Sequence, residues 1–146
     1  MVTSHAVEEA GIRERIGQLA EAIRAMDLER VMSMFAPDVV SDDLEPPLQH
    51  IGAAAKRKNW KQVFTIYQRP LGYEIRNLMV AVGDDVAFGH SLNRISGTLK
   101  NGKTNELWLR WTACLRKIDG QWLIAHDQVS VPLDVASGRG LVDLEP

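Results

Sequence analysis

The feature that most restricts how this chain can fold is a change of hydrophobic period at about residue 70. Before it, apolar residues recur at helical spacing; after it, they alternate. From Tyr73 onward four alternating segments, 73–82, 86–99, 103–117 and 121–131, are separated by Gly83-Asp84-Asp85, Asn101-Gly102 and Asp119-Gly120, and Pro132 ends the last. Asn-Gly and Asp-Gly between alternating runs are hairpin signals, so the second half reads as a four-stranded antiparallel meander. The first half reads as helices. Ile12, Ile16, Leu19, Ile23 and Met26 form one stripe, with Ser4 as a candidate cap. Asp27 caps a short second helix with Leu28, Val31, Met32 and Phe35 inward, and Pro37 ends it. Val39 and Val40 open a short strand that runs into Ser41-Asp42-Asp43-Leu44 and stops at Pro46-Pro47. A third helix runs from near Gly52 to Tyr67. Trp60, Val63, Phe64 and Tyr67 share one face of it, and Lys56, Arg57, Lys58 and Lys61 surround that face. Helices segregated from a meander make an α+β fold with helices over one sheet face. The domain is expected over residues 1–134, with 135–146 as a loose C-terminal tail.

Turn chemistry predicts which side chains share a face. Asn101-Gly102 as a two-residue turn sets Asn93 opposite Arg110 and Ser91 opposite Thr112. A three-residue loop ending at Gly120 sets Thr112 opposite His126, Arg110 opposite Gln128 and Trp108 opposite Ser130; a two-residue loop would shift all of these by one. With the longer loop, one face carries Ser91, Asn93, Trp108, Arg110, Thr112, Cys114, His126, Gln128 and Ser130. The other carries Leu107, Leu109, Trp111, Ala113, Leu115, Leu123, Ala125 and Val129. The polar-aromatic face is expected to line a pocket under the helices. The apolar face is expected to pack against a partner subunit, giving a homodimer.

Charge and composition exclude several functions. Seventeen basic and nineteen acidic residues leave a net charge of -2, with no basic excess for a phosphate backbone, so nucleic-acid binding is not expected. No apolar run is long enough to span a membrane, and the charged N-terminus does not read as a signal peptide. The single cysteine, Cys114, permits no internal disulfide and suits a reducing, cytoplasmic setting. His50, His90 and His126 lack metal-ligand spacing and no glycine-rich phosphate loop follows a strand, so neither metal nor cofactor is expected.

Met34-Phe35-Ala36-Pro37-Asp38-Val39-Val40, then Asp43-Leu44-Glu45-Pro46-Pro47-Leu48 and Gly52, open a recognisable pattern. It continues through Gly83-Asp84-Asp85-Val86-Ala87, Trp108-Leu109-Arg110-Trp111-Thr112, Asp119-Gly120-Gln121-Trp122 and His126-Asp127-Gln128-Val129-Ser130-Val131-Pro132. In order and spacing these resemble the SnoaL-like, ketosteroid-isomerase-like domains of the nuclear transport factor 2-like superfamily, over roughly residues 10–134. The resemblance implies a cone in which a strongly curved antiparallel sheet wraps three helices around a pocket. Isomerases, cyclases, dehydratases, ligand binders and oligomerisation modules share this fold, so function must be argued from the site.

Asp43 occupies the position resembling the general base of ketosteroid isomerase, with Asp42 as its competitor; the alternative is an aspartate that caps a turn. His126 is a candidate acid, base or donor, or else a core histidine bonded to Thr112 or Asp43. Arg110 in a central strand needs Asp42, Asp43 or an anionic ligand. Trp60, Phe64 and Trp108 are candidate apolar walls, and Asn93, Thr112, Gln128 and Ser130 candidate polar contacts. Ketosteroid isomerase pairs its base with a tyrosine and a protonated aspartic acid. The first helix here has no tyrosine, and the strand near Thr112-Ala113 has no carboxyl group. Steroid isomerisation is therefore not expected, and Arg110, His126 or Trp108 would have to replace the missing donors. The leading expectation is cofactor-independent acid/base proton transfer on an apolar carbonyl or carboxylate compound. The alternatives are a non-catalytic ligand binder and a dimeric assembly module.

Overall fold

The computed structural model describes residues 4–146; the opening of the N-terminal segment and whatever precedes Ser4 at the helix start lie outside the described residues. The element order is α1 (Ser4–Arg24), α2 (Leu28–Met32), β1 (Phe35–Asp42), β2 (His50–Ile51), α3 (Ala53–Ile66), β3 (Gly72–Val82), β4 (Val86–Thr98), β5 (Thr104–Ile118), β6 (Gln121–Ser130), β7 (Leu133–Asp134) and β8 (Arg139–Gly140). The Asp27 carboxylate caps α2, accepting from Arg30 N at 3.2 Å. One curved, unclosed sheet runs β2-β1-β6-β5-β4-β3, and the helices fill its hollow. It is mixed: β3 to β6 form the expected meander, but β1 starts as early as Phe35 and pairs parallel to β6. Where a loose tail was expected, β7 and β8 form a small hairpin, closed by Gly138 N donating to Asp134 O at 2.8 Å.

Both hairpin registers differ from expectation. Between β4 and β5, Leu99 N donates to Lys103 O at 2.7 Å and Gly102 has φ 88°, so Lys100-Asn101-Gly102 is a three-residue loop with a left-handed glycine. The one-residue difference sets Asn93 opposite Leu109 and Ser91 opposite Trp111. Both move to the apolar side, because a single slip flips every side chain of a strand. Between β5 and β6 the turn is the two-residue Asp119-Gly120, with φ of 50° and 79°. A bulge then follows: Leu115 faces Ile124, but Cys114 faces His126, leaving Ala125 as the extra residue. The bulge returns His126, Gln128 and Ser130 to the side of Thr112 and Arg110, with Arg110 opposite Ser130 rather than Gln128.

The two faces are reversed relative to the expected inside and outside. Trp111, Ala113 and Leu115 are buried in one core with Ile12, Ile16, Leu19 and Ile23 of α1. The face expected to need a partner subunit is thus covered by the chain's own helices, which removes the argument for a dimer through it. The polar face of Arg110, Thr112 and Gln128 is exposed. This is the arrangement that burial energetics favours: apolar strand positions bury hydrophobic area at roughly 25 cal/mol per Å², while an unpaired guanidinium stays in water. Among the described residues no helix is long and apolar enough to cross a membrane.

Candidate functional site

Inside the cone lies a cavity of about 110 Å³. Its walls are largely apolar: Leu19 and Ile23 from α1, Phe35 from β1, Trp60 and Val63 from α3, and Leu107, Leu109 and Trp111 from β5. The exposed residues among those lining it, Leu44, Glu45 and Ile66, mark its mouth. Into this apolar wall the fold inserts two polar groups of side chains.

The first is built on Lys56, which is 0% exposed. Its Nζ donates to Asp43 Oδ2 at 2.7 Å and to Asn59 Oδ1 at 3.4 Å, and lies 3.8 Å from Asp127 Oδ2. The same ammonium sits 5.5 Å from the ring centres of both Phe35 and Trp60, a geometry attractive to a cation. Asp43 follows the end of β1, and its Oδ1 accepts from Leu44 N at 2.6 Å. Asp127 in β6 accepts from Ser41 Oγ and from Trp111 Nε1 at 3.2 Å. A buried ammonium is tolerated here because two carboxylates and an amide oxygen surround it.

The second group is a relay across β4 and β3. Ser91 Oγ donates to Asn93 Oδ1 at 2.6 Å, and Asn93 Nδ2 donates to the Tyr73 hydroxyl oxygen at 2.7 Å. The Tyr73 oxygen therefore acts as acceptor, and among the described residues no acceptor takes its own hydrogen. Burial pushes the Tyr73 phenol well above its ordinary range; the Asn93 hydrogen bond opposes this, and the charges of Asp43 and Asp127 add to it. Tyr67, the only other tyrosine and also at the cavity wall, is likewise pushed up by burial, against its 2.9 Å bond to Asn105.

A titration follows from these shifts. The unfolded chain loses phenolic protons near about pH 10, where the folded chain still holds them. The stability linked to both phenols is complete below about pH 10 and falls as the pH rises above it. Tyrosinate absorbance on alkaline titration is expected to appear together with loss of tertiary structure. A tyrosinate step near pH 10 in the still-folded protein would contradict the burial of both phenols.

Of the residues singled out from sequence, Asp43, Trp60 and Asn93 line the cavity. The others lie outside it. Phe64 packs behind Trp60, with ring centres 5.6 Å apart. Asp42 alternates away from the interior and accepts from Gln49 Nε2 at 3.0 Å. His126 Nδ1 donates to Val40 O at 2.6 Å, with Nε2 3.9 Å from Asp42, on the outer side of the sheet. Arg110 Nε donates to Ser130 Oγ at 3.0 Å on that side, near exposed Thr112 and Gln128. Trp108 lies under the Arg76 guanidinium, 4.6 Å from its ring centre. Trp108, Arg110, Thr112, His126, Gln128 and Ser130 share a side, as expected, but it faces away from the cavity. Alternation along β5 and β6 leaves no other choice once Trp111 and Asp127 point inward.

Lys56, Asp127 and Tyr73 were missed from sequence. Lys56 precedes Trp60 by four residues and Val63 by seven, which puts it on the helix's apolar stripe rather than beside it. Asp127 alternates in phase with Val129, and Tyr73 with Ile75. Among the described residues no group of three or more His, Cys, Asp or Glu side chains is placed to hold a metal ion. The cation between Asp43 and Asp127 is Lys56 itself.

A helix-filled α+β cone with a small polar-studded cavity defines a pocket protein of the nuclear transport factor 2-like superfamily. Residues 12–134 match the SnoaL-like domain family, and the chain belongs to that family. An NTF2-like protein of unknown function from Pseudomonas putida is 28% identical, with a TM-score of 0.87 over 96% of this chain and 97% of its own. A ketosteroid isomerase-like protein from Erwinia carotovora is 23% identical, with a TM-score of 0.73 over 84% of this chain and 95% of its own. An NTF2-like superfamily protein from Salmonella enterica is 18% identical, with a TM-score of 0.78 over 91% of this chain and 96% of its own. No curated protein matches the chain significantly.

Proposed function

We propose that the chain is a cofactor-independent enzyme that moves a proton on a small, largely apolar carbonyl or carboxylate compound. The observation that carries this reading is the presence of Asp43 and a neutral Tyr73 on the wall of one apolar cavity. The carboxylate is a base for a carbon-bound proton. The Tyr73 O–H, oriented by Asn93, is a donor to the oxygen on which negative charge develops. Tyr73 of β3 thereby takes the part for which Arg110, His126 and Trp108 were candidates. The likeness to a ketosteroid isomerase-like protein supports the reaction class but not the substrate. A cavity of about 110 Å³ is on the scale of the roughly 150 Å³ that holds one small ring, so a four-ring steroid does not fit inside it.

The test is hydrogen exchange in deuterated buffer on a panel of single-ring ketones and carboxylates, followed by proton NMR. Protein-accelerated loss of the α-proton signal for at least one compound is expected. No acceleration for any of them would remove the proposal. A second reading, ligand binding without turnover, rests on Asp43 accepting at both oxygens, from Leu44 N and from Lys56. It predicts compounds that raise the melting temperature and are recovered without exchange.

A further inference from the structure

Away from the cavity, the chain carries two apolar surfaces that remain in water. The first is the arm after β6. Residues 133–146 lie outside the six-stranded sheet, tied to it by Leu141 N donating to Pro132 O at 2.8 Å and by the approach of Gly140 to the Val131 side chain. Leu133, Val135, Val142 and Leu144 are all exposed along it, Val135 by 85%. A hairpin of two residues a side, with its aliphatic groups in water, has little to set against the entropy of a free chain. Such an arm needs a surface to lie on. The second surface is the outer side of β3 and β4, where Met79 and Val86 are each 57% exposed and Phe88 49%. The three share that side, since Met79 stands opposite His90 and alternation groups Val86, Phe88 and His90. Methionine and an aromatic ring among arginines are the composition favoured in protein–protein contacts.

Charge selects the occupant. The arm holds Asp134, Asp143 and Glu145 against Arg139, a net charge of -2. The outer side of β3 to β5 holds Arg76, Arg94, Arg110 and Arg116 against Glu74 and Glu106, a net charge of +2. Both glutamates are already engaged by Arg76 and Arg94. Among the described residues Arg110 meets no carboxylate, only the Ser130 hydroxyl, and Asp38 stands off from Arg116 at 3.9 Å. The face therefore has cations free to meet the arm's carboxylates.

Position selects a second copy. In its own chain the arm leaves the sheet just after Ser130, opposite Arg110. Val86 and Phe88 lie toward Arg116, six residues or about 20 Å farther along β5. The hairpin doubles back at Gly138 and does not span that distance. A second copy packed antiparallel, sheet against sheet, brings its own arm to that far end. We infer that two copies associate through the outer side of the sheet, the arm of each lying on the β3–β4 face of the other. Such a contact is isologous and closes on itself, so it stops at a dimer. It uses the side opposite to the one first expected to dimerise, which the helices fill.

Sedimentation equilibrium of the full chain at micromolar concentration is expected to give about twice the 16.3 kDa of one chain. Val135→Arg sets a cation on the arm against the basic face. Phe88→Glu sets an anion on the face against the acidic arm. Both positions are exposed, so both variants are expected to fold, which circular dichroism checks. Each alone is expected to weaken dimerisation about tenfold or more, by forcing an unpaired charge into the contact. Mixed in equal amounts, the two variants are expected to associate again. The mixed pair has one unaltered arm on an unaltered face, and opposite charges in its other contact. A wild type that stays monomeric overturns the inference, whatever else then covers the arm. So does a folded variant that dimerises as tightly as the wild type, or a mixture that associates no better than its parts. Should Phe88→Glu fail to fold, Met79→Glu takes its place, alone and in the mixture.

Discussion

Replacing Lys56 by methionine is expected to lower the unfolding free energy by about 3–5 kcal/mol, the usual consequence of stripping a buried ion pair of one partner. Methionine keeps the length and apolar stem of the side chain, so the loss is electrostatic rather than a packing defect. Asp127 would still accept from Ser41 and Trp111. Asp43, whose side chain is only 17% exposed, would keep just the Leu44 N–H. Two neighbouring carboxylates would then share the interior with no counter-charge. Adding Asp43→Asn to Lys56→Met should therefore recover part of the loss, so the two substitutions are strongly non-additive. Denaturant titration of the wild type, both single variants and the double variant measures this directly. A Lys56→Met loss below about 1 kcal/mol, typical of solvated surface pairs, would show that the ammonium is not buried as described.

The second large effect concerns turnover. Asp43→Asn removes the base and keeps one oxygen able to accept from Lys56, but its NH2 then faces the Leu44 N–H, a cost of about 1–3 kcal/mol, so rates are compared on folded protein. Hydrogen exchange on a compound that the wild type processes should fall by about 10²–10⁴-fold, the range usual for loss of a general base. Tyr73→Phe, which deletes only a hydroxyl, should reduce the rate by about 10²–10³-fold through loss of the oxygen-directed donor. Folded variants that turn over at the wild-type rate would reduce the Asp43–Lys56 pair to a structural ion pair.

Much of the fold was legible because it rests on local rules. The stripe from Ile12 to Met26, the Asp27 cap and the glycine turns each specify an element without reference to the rest of the chain. Asp43, Trp60 and Asn93 were found at the cavity, although Asn93 was placed there through a register that differs by one from the observed pairing. What could not be read was the direction of the sheet. Sorting side chains into two faces says nothing about which face the helices cover; with one face too apolar for water, both are expected to be buried and the polar one to line the pocket. The polar groups of this cavity come instead from isolated positions within apolar runs. Lys56 lies on a helical stripe, Asp127 in phase with Val129 and Val131, and Tyr73 at the start of a strand. A charged residue in phase with a buried stripe is the signal that would have found the first two, since such a residue must be paired inside.

The extra residue at Ala125 has a bearing on how this chain can change length. Because the tight turn at Asp119-Gly120 and the irregularity five residues later offset one another, seven positions separate Gly120 from the aspartate that faces Lys56. Removing Ala125 alone would leave a regular hairpin with the aspartate still opposite Ala113, whereas losing two residues would set it opposite Cys114, turning Asp127 toward solvent and Gln128 toward the ammonium. Shortening beyond that one residue would here exchange an anion for an uncharged amide at the heart of the molecule.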